Sequence, residues 1–194
     1  MIAWSLDACR ESGVVSAVVV AVPAGHEHGL EGVVAVDGGA TRAESVANAL
    51  AAVRTEYVAI CDAARPLLTV ALLEALVALL AANPDADAAI AAAPVTDTVK
   101  KVRGGLGADS APYPLRVSDT LDRSTLWGAQ TPQVLRTEAL RNALKAAESA
   151  TDEAMLIEAA GGTVLLHDPG APNLKVTTPL DLRVAELLLA DRDR

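Results

Sequence analysis

Between Val14 and Val22 the chain reads VVSAVVVAV, a run too β-branched and too continuously apolar for a strand with one wet face. Such a run reads as a strand buried on both faces, which is the mark of a parallel sheet. The rest of the chain keeps the matching rhythm. VVAV at Val33 to Val36 is followed by the turn DGGA and a helix from about Arg42 to Val53. YVAIC is followed by a loop, the helix VALLEALVALLAA and the strand ADAAIAAAPV. Strand, turn and helix in repetition predict an α/β, Rossmann-like, doubly wound and mostly parallel sheet.

After Pro94 the rhythm breaks. TDTVKKVRGGLGADSAPYPLRVSDTLDR has basic, glycine-rich and short alternating stretches and no helical period, which predicts a protruding β-hairpin arm over about 95–125. Helices are then expected at about Thr137 to Ala147 and around Asp152 to Ala160, with Thr151 as N-cap. A strand GTVLLH, a short strand NLKV carrying Lys175, and a last helix starting at Pro179 close the chain. With 194 residues and 52% hydrophobic content, the expectation is one domain spanning 1–194.

Composition removes several function classes. A formal charge of −9 with 2% aromatic residues and no Phe argues against nucleic acid as a partner. The longest apolar run is too short to span a bilayer and no leader pattern opens the sequence, so the expected location is the cytoplasm, away from membranes. Cys9 and Cys61 form no CxxC pattern and read as small buried apolar residues rather than a disulfide or a zinc site.

Chemistry is sought beyond the carboxyl ends of the strands, where open α/β sheets hold their ligands. Gly38 and Gly39 in DGGATRAES allow close backbone approach before a helix N-terminus, or form a plain turn capped by Thr41. Asp62 and Arg65 follow YVAIC in a loop stiffened by Pro66. They are either a surface ion pair or a pair facing a metal-nucleotide and a phosphate. Thr98, Arg123 and Thr131 flank the arm, with Trp127 read as packing. Lys175, between Leu174 and Val176, is either solvated or aimed at an anion. No nucleophilic triad and no metal-ligand cluster is spaced along the chain, so the expected chemistry is positioning and charge neutralisation, as in nucleotidyl transfer.

The ordered motifs VDGGATRAES, CDAARP, APVTDTVKK, DRSTLWGAQTPQ, TDEA and NLKVTTPLDL resemble the 2-C-methyl-D-erythritol 4-phosphate cytidylyltransferase family from about Ile2 to Leu189. The resemblance implies transfer of CMP from CTP to methylerythritol phosphate, with release of pyrophosphate, in non-mevalonate isoprenoid biosynthesis. It implies Mg²⁺ held chiefly by the nucleotide phosphates, and a homodimer joined through the arm. By the same resemblance Gly39, Arg42, Ser45, Asp62 and the backbone at Ala63 match nucleotide-binding positions. Arg123 and Lys175 match the pair that positions the attacking phosphate, with Asp62, Arg65, Thr98, Thr131 and Thr151 around the substrate. Thr98 and Arg123 would serve the neighbouring subunit's site.

Family members also open with a strand and a glycine-rich AAGxGxR loop, then PK, which these residues do not contain. That predicts two strands short of a hydrogen-bond partner and doubtful activity for the 194-residue form alone, with a misplaced start codon as the expected cause. The alternatives are a non-catalytic dimeric binding module and a cytidylyltransferase for another polyol phosphate, such as ribitol phosphate.

Overall fold

A computed structural model describes residues 1–25, 28–103, 114–146 and 152–192. The elements in chain order are α1 (Ile2–Glu11), β1 (Val19–Val22), β2 (Val34–Asp37), α2 (Arg42–Ala52), β3 (Tyr57–Ile60), α3 (Val70–Ala82) and β4 (Ala88–Pro94). They continue with β5 (Lys100–Val102), β6 (Val117–Thr120), β7 (Trp127–Arg136), α4 (Thr137–Ala146), α5 (Glu153–Ala159), β8 (Val164–His167) and α6 (Pro179–Arg192).

The central sheet has the order β3-β7-β4-β8. β4 and β8 are parallel, and β7 runs antiparallel to both β3 and β4. Three of its four strands therefore point one way and β7 is the exception. The small residues of β4 make this layering possible. Ala89 and Ala91 face one side and pack with Leu72, Leu73, Leu76 and Leu80 of α3 and with Val134. Ala88 and Ile90 face the other side and pack with Leu50, Leu135, Leu140, Leu156 and Ile157. This period-two alternation between two covered faces is the doubly wound pattern. Each fully buried leucine contributes about 2 kcal/mol.

β1 and β2 form a separate parallel pair. Among the described residues β1 is laddered only to β2, and β3 only to β7. The VVSAVVVAV run consequently departs from expectation: only Val19–Val22 is strand, and it is half-buried rather than enclosed on both faces. A strand with a partner on one edge only is not enclosed, however apolar its side chains.

β7 is the strand the sequence conceals. Pro132 interrupts the run, and a proline cannot donate to a ladder, so the segment reads as a loop. Pro132 sits where the β4–β7 pairing is broken: Ile90 pairs with Gln133 and Ala92 with Ala129, so Ala91 faces three residues, Gln130 to Pro132. This bulge lies just beyond the last residue of β3. β5 and β6 form an antiparallel hairpin within the segment expected as an arm; its residues 104–113 lie outside the described residues.

Candidate active site

The loop entering α2 is shaped by its cap. Thr41 Oγ1 accepts from Glu44 N at 3.1 Å, and Glu44 Oε2 accepts from Ala40 N at 2.7 Å and Thr41 N at 3.3 Å. This capping box brings Glu44 so close that a Cβ at position 39 would lie 2.2 Å from the Glu44 Cβ, so position 39 must be glycine. Ser45 Oγ accepts from Gly39 N at 3.0 Å and donates to Thr41 O at 3.0 Å. Gly39 and Ser45, distant by six positions, thus form one polar rim at the end of β2.

Asp62, two residues beyond β3, is the hub of the second rim. Its amide donates to Thr131 Oγ1 at 2.9 Å, which ties it to the β7 bulge. Its carboxylate gathers three bases: Lys175 Nζ at 2.9 Å, Arg42 Nη2 at 3.7 Å and Arg65 Nε at 3.8 Å. Arg42 is further gripped by Glu153, whose Oε1 and Oε2 accept from its two terminal nitrogens at 2.5 and 2.8 Å. Three bases are gathered here among the carboxylates of Asp62, Glu153, Asp152 and Asp97, in a chain of formal charge −9. A local gathering of bases of that kind suits an anionic ligand despite the overall sign.

The two arginines differ electrostatically. Partial burial pulls Arg42 down, but the hydrogen bond and charge of Glu153, with Asp62 and Asp152 behind it, outweigh burial and raise its pKa. Burial pulls Arg65 below its usual value against the attraction of Asp62. Both stay charged near neutrality, since guanidinium starts so far above it. Arg42 has its fork filled by Glu153 and acts as a strut, whereas Arg65 and Lys175 line an open cleft of about 430 Å³ with Thr96, Asp97 and Gln130.

The structure brings together Asp62, Arg65, Thr131, Lys175 and Arg42. Ala63 follows Asp62 on the exposed side of the same loop. Arg123 sits in a short 3₁₀ turn over Arg123–Thr125, donates to Thr96 O, and lines an adjoining cleft of about 650 Å³ with Thr96, Leu126 and Trp127. Within one chain Arg123 and Lys175 therefore line different clefts. Trp127 is 42% exposed, so it is not the packing residue expected. Thr98 is exposed ahead of β5, and Thr151 lies outside the described residues.

Two further expectations are corrected. Asp152 is the N-cap of α5, its Oδ1 accepting from Met155 N at 2.9 Å, one position after the cap expected. Lys175 lies outside any strand, in a segment anchored by Val176 N donating to Ala64 O at 2.8 Å. Cys9 and Cys61 are free and half-buried against the core, as expected of small apolar residues, and their proximity pushes the Cys61 thiol up and pulls Cys9 down.

Sequence reasoning missed Glu153, Gln133 and Asn173. All three are polar and buried. Gln133 Nε2 donates to Asp152 Oδ2 at 3.1 Å and its Oε1 accepts from Ala154 N at 3.0 Å, so β7 holds the start of α5. The available signal was weak, since Glu153 reads equally well as a first-turn acid.

A family profile described as "IspD: 2-C-methyl-D-erythritol 4-phosphate cytidylyltransferase" matches residues 1–191. The chain is 46% identical over 188 residues to the bifunctional enzyme IspD/IspF of Anaeromyxobacter dehalogenans, covering 90% of this chain but 46% of that protein. It is 44% identical over 165 residues to the 2-C-methyl-D-erythritol 4-phosphate cytidylyltransferase of Parasynechococcus marenigrum, covering 82% of this chain and 68% of that one. The chain thus spans under half of the bifunctional relative and about two thirds of the other. The crystal structure of the Thermus thermophilus 2-C-methyl-D-erythritol 4-phosphate cytidylyltransferase superposes with a TM-score of 0.80 at 32% identity, over 97% of this chain and 88% of that one. Fold, motif order and sequence agree, and the chain belongs to the 2-C-methyl-D-erythritol 4-phosphate cytidylyltransferase family.

Proposed function

We propose that this protein transfers CMP from CTP to the phosphate of 2-C-methyl-D-erythritol 4-phosphate, releasing pyrophosphate, in isoprenoid biosynthesis. The observation that carries the reading is the trio of bases drawn around Asp62, two of which line an open cleft, in a chain of this family. Two polyanions must be brought together, and the acceptor phosphate is already an oxyanion, so the reaction needs no enzyme base. Lys175 and Arg65 would hold that phosphate, offset its repulsion with the nucleotide, and aim one oxygen at the α-phosphorus. The rim of Gly39 and Ser45 and the backbone at Ala63 would take the cytidine side.

Mg²⁺ fits as a guest of the nucleotide. Among the described residues no three side chains gather to cage a metal, and Asp62 is a single carboxylate already shared among bases. The ion, when bound, would supply charge neutralisation on the nucleotide phosphates. A homodimer belongs to the same proposal: Arg123 lines a cleft that adjoins the one lined by Lys175 and shares Pro94, Val95 and Thr96 with it, and the family likeness has the arm of a neighbouring subunit serve the site. The cytoplasm is its proposed location; among the described residues no helix is long and apolar enough to cross a membrane.

The test is product analysis by mass spectrometry after incubation with CTP, Mg²⁺ and an equimolar mixture of methylerythritol phosphate and ribitol phosphate. The cytidyl product of methylerythritol is expected in large excess. A ribitol product would assign another polyol phosphate, and binding of substrate without either product would assign a non-catalytic module.

A further inference from the structure

The β7 bulge leaves backbone groups without ladder partners at the point where the candidate site is built. Ala91 faces Gln130, Thr131 and Pro132 at once, so the Thr131 carbonyl has no cross-strand donor in that register. The group that satisfies it comes from far along the chain. Asn173, 4% exposed, donates through Nδ2 to Thr131 O at 2.9 Å and to Gln130 Oε1 at 2.9 Å. Both protons of the amide are thereby used. The backbone oxygen of Asn173 also accepts from Arg65 Nη1 at 2.6 Å.

Asn173 therefore touches the bulge with its side chain and Arg65 with its main chain, and Lys175 follows two residues later. The bulge in turn fixes Asp62, through Thr131 Oγ1, and Asp62 holds Lys175 at 2.9 Å. The loop Asn173 → Thr131 → Asp62 → Lys175 is closed. Removing the Asn173 side chain opens it at a joint that lies between the bulge and the segment carrying Lys175, the same segment whose main chain holds Arg65. We propose that Asn173 is a positioning residue: it plugs the β7 bulge and so sets Lys175 and Arg65 in the register that receives the acceptor's phosphate. Its bearing on the acceptor rests on the function proposed above; its bearing on Lys175 does not.

An acceptor-only replacement is the sharpest probe. In Asn173→Asp the carboxylate would face the Thr131 carbonyl with no proton to give, at nearly unchanged volume. Two readouts separate the proposal from the functional reading. First, acylation of Lys175 by a limiting amine-reactive ester, mapped by mass spectrometry, is expected to run about tenfold faster in the variant, the effect of one lost buried hydrogen bond. Lys100, on the arm hairpin, serves as the unchanged internal reference. Second, KM for methylerythritol phosphate is expected to rise about tenfold or more while KM for CTP stays within about twofold.

Faster Lys175 labelling without any CMP transfer, even in the parent protein, would sink only the functional reading. Unchanged Lys175 labelling in a natively melting Asn173→Asp would overturn the proposal, as would equal loss for both substrates, which marks a merely structural residue. Should Asn173→Asp not fold, Gln130→Ala removes one of the two acceptors and is expected to speed Lys175 labelling by about two- to threefold, with no change again overturning the proposal.

Discussion

β1 (VVAV) and β4 (AAIAAAP) are both short apolar runs, yet they end in different environments. β4 has ladder partners on both edges and its residues from Ala88 to Ala92 are at most 2% exposed. β1 has one ladder partner among the described residues and stays half-buried. Burial here is set by the number of neighbouring strands rather than by the apolarity of the strand itself. The half of the molecule bearing Gly39 and Ser45 is held to the rest by helix packing and a few polar struts. The principal struts are Arg42 to Glu153, and Arg141, whose Nη2 donates to Val53 O at 2.7 Å. The half bearing Lys175 rests on a complete core.

The comparison is broken most forcefully in the core. Leu76→Ala, at a fully buried site on α3, is expected to cost about 3–4 kcal/mol in denaturant unfolding, whereas Val20→Ala on β1 costs about 1 kcal/mol. Equal losses would contradict the division. At the site, Lys175→Ala is expected to lower kcat/KM for methylerythritol phosphate by about a hundredfold or more with KM for CTP little changed, checked by steady-state kinetics on both substrates.

The strut comes next. Glu153→Gln is expected to destabilise by about 1–2 kcal/mol, less than a fully buried pair because the Arg42 side chain is 41% exposed. Amide exchange should then accelerate in β1, β2 and α2 but not in β4. Uniform acceleration would show that the strut does not join two halves.

The smallest effect concerns pH. Asp181 Oδ2 accepts from Thr177 N, Thr177 Oγ1 and Thr178 N, which lowers its pKa to about 2 and secures the chain just after Lys175. A depressed carboxylate stabilises the fold above its unfolded value near 4 and loses that contribution as pH falls through about 2. Asp181→Asn should flatten the stability profile over that window and lower stability above about pH 5, where the ionised carboxylate contributes in full, with the two proteins converging as pH falls toward 2.

Much of this was legible in the residues. Local rules were enough for α2, with its Thr41 cap, and for α3, whose sequence VALLEALVALLAA is helical to its last residue. They failed at β7, where Pro132 hides a central strand because its bulge needs no donor there. They failed at Lys175, which flanking apolar residues made look like strand although among the described residues no strand pairs with it. Asp62, Arg65 and Lys175 were singled out from their place after strands and from family likeness. Glu153, Gln133 and Asn173 were not, because a buried polar residue announces itself only through partners distant in sequence.

The most direct test of the account is a calorimetric titration of methylerythritol phosphate into the parent protein and into Lys175→Ala. The account predicts saturable binding to the parent that weakens by about a hundredfold in the variant. Equal binding to both proteins would remove Lys175, and with it the cluster around Asp62, from the role given to them here.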